Sequence, residues 1–217
     1  MREIIVGASG ASGMPLLIKC LQLIQQAEGY QSGLIMTDSA KITYAQEMST
    51  GNRASAPVQN TFASIHPTDA LTDGPCPAEL LADHVYPADA IWEKPASGSY
   101  RTAGMLIVPC SMKTIAGICS GYTDNLLLRA ADVTLKEQRP LVLAARETPL
   151  NQIHLRNLYE LSKMQGVHII PPMMTFYNRP DTIDDMIYHL AAKLVEPFGI
   201  EAPAYCRWDG TLRDVAE

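Results

Sequence analysis

The sequence predicts an α/β fold, in which one parallel β-sheet is covered by helices on both faces. Five short, continuously apolar segments are each followed by a helical pattern, and such segments are typical of parallel strands that are buried on both faces. Hydrophobic residues make up 47% of the 217 residues and charged residues 18%. A chain of this length and composition can bury one core without disulfides or a structural metal.

Strands and helices are predicted to alternate along the chain. The first strand ends in glycines, and the helix after it has its apolar residues on one face. Pro149 is expected in the first turn of a helix, where its missing N–H costs nothing, and Asp181-Thr182 is expected to cap the last helix. The predicted strands are 3–7, 33–37, 104–109, 140–145 and 167–171; the predicted helices are 12–28, 39–48, 112–119, 126–137, 150–165 and 183–195.

One domain is predicted for residues 1–217. Residues 49–95 are rich in Pro, Ala, Asp, Ser and Thr, and their apolar content is too low for a second core, so they are interpreted as an elaborated connection. A short helix is expected within this connection at about 77–83. The tail at 201–217 contains Tyr205 and Trp208 and is expected to pack on a neighbouring element or subunit.

Charge and cysteine content exclude several classes of protein. The net charge of −6 argues against nucleic-acid binding, and no apolar segment approaches the ~18–20 residues of a membrane span. The first strand begins too early to leave room for a signal peptide. The five cysteines lack Cys-x-x-Cys spacing, and the five histidines lack i, i+4 pairs, so neither disulfides nor a metal site is expected. These features indicate a cytoplasmic protein.

The loops after the strands are the expected location of a ligand, because parallel sheets bind ligands outside the carboxyl ends of their strands. The glycine-rich loop at 7–13 opens the first helix, so its backbone N–H groups and the helix dipole could hold a phosphate. A tight strand-to-helix turn is the alternative. Ser111, Lys113 and Thr114 begin another helix after the third strand, although ordinary capping would explain Ser111 alone.

Several charged and reactive residues have both a functional and a structural interpretation. Arg146 follows the fourth strand and could bind a phosphate or a flavin carbonyl, or could pair with Glu147. Arg129 and Lys136 lie seven residues apart on one helix and could simply form a solvated face. Cys110 could be a nucleophile, but a buried thiol is the more frequent case.

The order of seven motifs resembles that of the UbiX/Pad flavin prenyltransferases, members of the flavin-containing cysteine decarboxylase superfamily. The resemblance covers nearly the whole chain apart from parts of 49–95 and the last few residues. The motifs are Gly-x-Ser-Gly-Ala-Ser-Gly (7–13), Ala-Ser-Gly-Ser-Tyr (96–100), Pro-Cys-Ser-Met-Lys-Thr (109–114), Asp-Asn-Leu-Leu-Leu-Arg-Ala-Ala-Asp-Val-Thr-Leu-Lys-Glu (124–137), Arg-Glu-Thr-Pro-Leu (146–150), Ile-His-Leu (153–155) and Phe-Tyr-x-x-Pro (176–180).

The resemblance implies a three-layer α/β/α, flavodoxin/Rossmann-like fold and a homo-dodecamer. It implies that the enzyme joins a dimethylallyl group from dimethylallyl phosphate to N5 and C6 of reduced FMN, and that the prenylated FMN passes to a UbiD-type decarboxylase. The residues implied to bind FMN are Gly10, Ala11, Ser12, Thr37, Ser111, Met112, Lys113, Thr114 and Arg146. Those implied to bind the donor are Arg129, Lys136, Arg146, Tyr177, Lys193, Trp92 and Trp208, and the implied catalytic residues are Glu47, Glu147, Lys136 and Ser12.

Two positions depart from the family pattern. Lys193 stands where relatives often have Arg, which removes a bidentate fork, whereas Thr37 replaces Ser and keeps the hydroxyl.

Two other functions are alternatives to prenyl transfer. An FMN-dependent oxidative decarboxylase of a cysteine-like substrate is one, although such enzymes have a sequence similar to Pro-Ala-Ser-Ala-Asn-Thr where this chain has residues 109–114. A non-catalytic FMN carrier is the other.

Overall fold

The computed structural model describes residues 1–48, 76–208 and 210, and these residues form a three-layer α/β/α structure. The strands are β1 (Arg2–Ala8), β2 (Tyr30–Met36), β3 (His84–Val85), β4 (Gly104–Cys110), β5 (Leu141–Ala145) and β6 (Val167–Ile169). The helices are α1 (Met14–Gln26), α2 (Asp38–Met48), α3 (Pro77–Leu81), α4 (Met112–Ser120), α5 (Leu126–Lys136), α6 (Gln152–Ser162) and α7 (Ile183–Val195). Short 3₁₀ turns occupy Lys94–Ala96 and Glu196–Phe198.

The six strands are all parallel and have the order β3-β2-β1-β4-β5-β6. This is the Rossmann order, and without the two-residue β3 it becomes the order of flavodoxin. The sequence-based prediction of a flavodoxin/Rossmann-like parallel sheet is therefore confirmed. No helix within the described ranges is long and apolar enough to span a membrane.

Alternate side chains of each central strand enter two separate apolar layers. In β1, Ile4 and Val6 pack with helices α1 and α7, whereas Ile5 packs on the opposite face with helices α4 and α5. Nearly every residue of β1, β4 and β5 is buried, which explains the continuously apolar sequence of these strands.

Helices α2, α4, α5 and α7 agree with the predicted bounds to within one residue, whereas α1 and α6 are shorter than predicted at both ends. The predicted start at residue 150, with Pro149 in the first turn, is wrong. Asn151 is the N-cap instead, because its side chain accepts a hydrogen bond from the His154 backbone N–H at 2.9 Å. Helix α7 has the predicted bounds, and Thr182 caps it by accepting from the Asp185 N–H at 3.1 Å.

The end of the connection contains one predicted helix and one strand that was not predicted. Helix α3 confirms the short helix expected near 77–83, whereas β3 has only two residues and both are exposed. Strand β3 is fixed by the buried carboxylate of Glu3 in β1, whose Oε1 lies 3.0 Å from His84 Nδ1 and accepts from the Tyr86 hydroxyl at 3.1 Å. Burial and the neighbouring Glu3 raise the pKa of Tyr86. Residues 49–75 of the expected connection lie outside the described ranges.

Two glycines with positive φ provide a matched test of packing at the start of β4. Gly104 has φ 138°, and a Cβ there would overlap the Pro140 carbonyl oxygen and lie 2.9 Å from Phe198 Cε1. Gly121, which ends α4 with φ 69°, has no atom within 4 Å of the Cβ position.

We expect Gly121→Ala to cost about 1–2 kcal/mol from backbone strain alone. Gly104→Ala should cost at least about 2 kcal/mol more, because the backbone of Pro140 must move as well. Urea unfolding of both variants at one protein concentration measures the difference. Equal losses would contradict the packing described for Gly104.

Candidate active site at the carboxyl ends of the strands

A cleft opens at the carboxyl ends of β1 and β4, the two strands between which the sheet order reverses. This is the position at which open α/β sheets bind ligands. The cleft has a volume of about 460 Å³, and three of the five loops predicted to hold a ligand contribute to it. Gly10 borders the cleft, and its lining residues with polar or charged side chains are Ser9, Thr37, Asp38, Ser39, Asp89, Ser111, Lys113, Thr114, Asp124 and Asn125.

Ser9 joins the two central loops of the cleft. Its buried hydroxyl donates to the Pro109 carbonyl oxygen at 3.0 Å and accepts from the Ser111 backbone N–H at 2.8 Å. The Ser9 N–H also donates to the Pro109 oxygen, at 3.1 Å. Ser9 is not among the site residues that the motifs predict, although a hydroxyl inside a glycine loop directly after a strand is a signal for it.

Helices α2 and α4 both begin at the cleft. Thr37 Oγ1 accepts from the Ala40 N–H at 3.2 Å, and Ser111 Oγ accepts from the Thr114 N–H at 3.3 Å. Ser111 therefore caps α4, as ordinary capping would require. Lys113 lies exposed in the first turn of α4, so its charge adds to the dipoles of both helices. This arrangement suits an anion such as phosphate.

The loop after β1 approaches the first turn of α2 closely. A Cβ at Gly10 would lie 2.6 Å from Ser39 Cβ, so only glycine leaves the backbone accessible there. Ala11 is half-buried and Ser12 is exposed beside it. The Met112 side chain is buried against α4 and α5, so only its backbone can face a ligand in the cleft.

Glu47 occupies the N-terminus of α1. Its Oε2 accepts hydrogen bonds from the backbone N–H groups of Gly13, at 3.0 Å, and Met14, at 2.8 Å. A carboxylate at this position is stabilised by the helix dipole. The N–H groups expected to hold a phosphate at α1 are thus already bonded to Glu47, which leaves the N-termini of α2 and α4 for an anion.

Arg146 and Glu147 lie beside the cleft, where β5 ends. The Arg146 backbone N–H donates to the Cys110 carbonyl oxygen at 3.0 Å, and both charged side chains are exposed. No ion pair joins Arg146 to Glu147, both of which are among the described residues, so this alternative for Arg146 is wrong. Cys110 is fully buried, and burial raises the pKa of its thiol, as the structural interpretation expected.

Two predicted donor-binding residues, Arg129 and Lys136, lie on helix α5, on what we call the α5 surface; Arg129 is in the first turn, next to Leu128 of the cleft, and Lys136 is at the opposite end. Arg129 donates to the Ala96 carbonyl oxygen at 3.3 Å and pairs with Asp132 at 2.8 Å. Lys136 pairs with Glu137 at the end of α5, and Trp92 is exposed. Because α5 begins at the cleft and has eleven residues, Lys136 lies roughly 15 Å further along the helix. One chain does not bring Lys136 together with Arg146.

Tyr177, His189, Tyr205 and Trp208 form an aromatic cluster on α7 and the segments beside it. The Tyr177 hydroxyl lies 3.3 Å from His189 Nε2, and the Tyr177 ring meets Trp208 edge-on at 6.0 Å. Burial, with a smaller effect of Lys193, lowers the pKa of His189. Lys193 donates to Glu196 Oε2 at 2.6 Å beside this cluster. Tyr177, Lys193 and Trp208 are therefore grouped, as a shared role would require.

Comparison with known proteins agrees with this geometry. The Flavoprotein family model matches residues 1–192. A probable UbiX-like flavin prenyltransferase of Streptomyces sp. (strain D7) is 43% identical over 208 residues, covering 96% of this chain and 92% of the relative.

Two solved structures share the fold over nearly their full length. The dodecameric FMN-dependent UbiX-like decarboxylase of Escherichia coli O157:H7 has a TM-score of 0.80 and 41% identity, covering 96% of this chain and 100% of that one. AnUbiX (PadA1), in complex with FMN and dimethylallyl pyrophosphate, has a TM-score of 0.81 and 36% identity, covering 97% and 99%.

The fold and the family match thus define a flavoprotein of the doubly wound α/β class. Within that class, the chain belongs to the UbiX-like flavin prenyltransferases. The family resemblance inferred from the motifs is confirmed.

Replacing Ser9 tests whether the junction between β1 and β4 supports flavin binding. Ser9→Ala removes the bond that holds the two loops together, so FMN must bring them into position; if the cost is that of one such hydrogen bond, about 1–3 kcal/mol, FMN affinity should fall about tenfold. Fluorescence titration with FMN measures this. Ser120→Ala is the matched control, because the Ser120 hydroxyl bonds only the Gly117 carbonyl at the far end of α4. Similar FMN affinities for the two variants would refute the role of Ser9.

Proposed function

We propose that this chain joins the dimethylallyl group of dimethylallyl phosphate to N5 and C6 of reduced FMN. The cleft between β1 and β4 carries the proposal, because it combines two helix N-termini with Lys113 at the strand tips. Membership of the flavin prenyltransferase family supports the same activity, and the related AnUbiX was solved with FMN and dimethylallyl pyrophosphate.

The residues of the cleft fit FMN. Thr37, Ser111, Lys113 and Thr114 would hold the phosphate at the N-termini of α2 and α4. Close approach at Gly10 would let the backbone of 10–12 and of Met112 contact the flavin, and Arg146 would bind a flavin carbonyl or the phosphate. When bound in reduced form, FMN supplies the nucleophilic N5 and C6 atoms.

Donor binding requires cations for the leaving phosphate and aromatic faces for the allyl group. Lys136, Arg146 and Lys193 would stabilise the departing phosphate without a metal, with Arg129 and Tyr177 beside them. Trp92 and Trp208 would face the allylic cation, and each such cation–π contact is worth about 0.5–2 kcal/mol.

Proton transfer is assigned to two carboxylates. Glu47 would accept a proton as the new bond forms, since it lies beside the exposed Ser12 at the start of α1. Glu147, exposed at the tip of β5, would exchange protons on the opposite side of the cleft. The Ser12 hydroxyl, exposed at the start of α1, would contact the flavin and act together with Glu47 in catalysis.

A second copy of the chain would complete the site. Lys136 lies roughly 15 Å along α5 from the turn that lines the cleft of its own chain, so a neighbour's cleft is the place where it could act. The dodecameric assembly of the Escherichia coli relative supports a homo-dodecamer here. We further propose a single domain over 1–217, a cytoplasmic location, and a UbiD-type decarboxylase as acceptor of prenylated FMN.

Flavin mass tests the activity directly. Incubation with reduced FMN and dimethylallyl phosphate should give an extracted flavin heavier by one C5 unit. EDTA should leave turnover unchanged, because lysine and arginine side chains neutralise the leaving phosphate. Unchanged flavin mass would favour the decarboxylase or the carrier, and loss of turnover in EDTA would overturn metal independence.

Mixed oligomers test the sharing of residues between subunits. Lys136→Met and Arg146→Gln should each be inactive alone. Co-assembly should restore about a quarter of the activity, because about a quarter of the sites then combine an intact Arg146 from one chain with an intact Lys136 from another.

Co-assembly of Arg146→Gln with Glu147→Gln is the control, since these adjacent residues at the end of β5 enter a site from the same chain and no site becomes intact. Restoration in the control, or its failure in the first pair, would contradict the shared site.

A further inference from the structure

One carboxylate holds two cations beside the aromatic cluster. Glu196 Oε2 accepts from Lys193 Nζ at 2.6 Å, and Glu196 Oε1 pairs with Arg207 Nη1. The two hydrogen bonds hold the pKa of Glu196 below its usual value. The Lys193 and Arg207 side chains are 52% and 58% exposed, so both can turn towards an incoming anion.

Arg207 is also placed next to the donor-binding aromatics. Its guanidinium lies 5.0 Å from the centre of the Tyr205 ring, and that ring lies 4.7 Å from His189. Trp208, the next residue, meets Tyr177 edge-on. Glu196 itself is anchored, because it begins the 3₁₀ turn that ends in the buried Phe198.

We infer that Arg207 is a second cation of the donor-phosphate site, and that Glu196 holds Lys193 and Arg207 in place of the phosphate until the donor binds. The inference rests on the proposed function, which places Tyr177 and Lys193 at the donor. It assigns Arg207 as a substrate-binding residue and Glu196 as a positioning residue.

The chemistry of the three groups supports this exchange. Lysine and arginine bind carboxylates and phosphates through the same charge-assisted hydrogen bonds. The position that the Glu196 carboxylate occupies between Lys193 and Arg207 is therefore also suited to a phosphate. A phosphate monoester carries more negative charge than a carboxylate and has three acceptor oxygens. Lys193 offers a point charge, whereas Arg207 offers a planar fork that can bind two phosphate oxygens.

The competing interpretation is a surface ion network without a ligand. Exposed ion pairs contribute little to stability, so the free energy of unfolding would hardly distinguish the two interpretations. Donor affinity does distinguish them, because only the inferred role makes Glu196 a competitor of the donor phosphate.

Calorimetric titration of dimethylallyl monophosphate into the FMN-loaded protein is the test. With oxidised FMN bound, no transfer consumes the donor. Arg207→Gln should raise the donor Kd about tenfold, as expected for loss of a charge-assisted hydrogen bond. The Kd of Arg207→Lys should lie between those of the unaltered protein and Arg207→Gln. Glu196→Gln should lower the Kd, because the cations are released, and inorganic phosphate should show the same order.

Arg2→Gln is the matched control, because the Arg2 guanidinium also lies over a tyrosine ring, 4.5 Å from the centre of Tyr30 at the amino end of β1. Its donor Kd should equal that of the unaltered protein. If the unaltered protein binds the donor and Arg207→Gln binds it equally well, or Glu196→Gln does not tighten binding, the inference is wrong and the proposed function stands. If the unaltered protein binds no donor, the proposed function fails and takes the inference with it.

Discussion

The structure depends on how the two central strands are joined at their carboxyl ends. Neighbouring strands β1 and β4 lead into different helices, so the loops after them would diverge without a link. The Ser9 hydroxyl provides that link by bonding Pro109 and Ser111 together. Because the bond is buried, the relative position of the two loops is fixed before any ligand arrives, and the N-termini of α2 and α4 face one common space.

The positive groups that could bind anions lie in separate parts of the molecule. The cleft offers helix N-termini and Lys113, which suit a flavin phosphate, while Glu47 closes the N-terminus of α1. The cations suited to a second phosphate lie elsewhere, at Lys193 beside the aromatic cluster and at Lys136 on the α5 surface. A single chain therefore has the cleft proposed for the flavin but divides the residues proposed for the donor between two surfaces, which is consistent with the dodecameric assembly of the Escherichia coli relative.

The strands, most helices and the loops of the cleft could be predicted because they depend on local periodicity and on the general geometry of parallel sheets. Features that depend on contacts between distant side chains could not. Strand β3 exists because buried Glu3 bonds His84 and Tyr86, more than eighty residues away. The Glu47 bond to α1 and the start of α6 at Asn151 likewise depend on particular hydrogen bonds, not on hydrophobic pattern. Lys136 matched a family motif, but its distance from the cleft becomes evident only from the length and direction of α5.

The lengths of the two outermost strands have a consequence for self-association. Within the described residues, the sheet ends in β3, with two residues, and β6, with three. Such short edges present few unpaired backbone groups, so they are poor templates for recruiting a further strand from another molecule. For the described residues, edge-to-edge pairing between copies of the chain is therefore disfavoured, and side chains outside the sheet offer the surfaces on which charge and shape can select a neighbour.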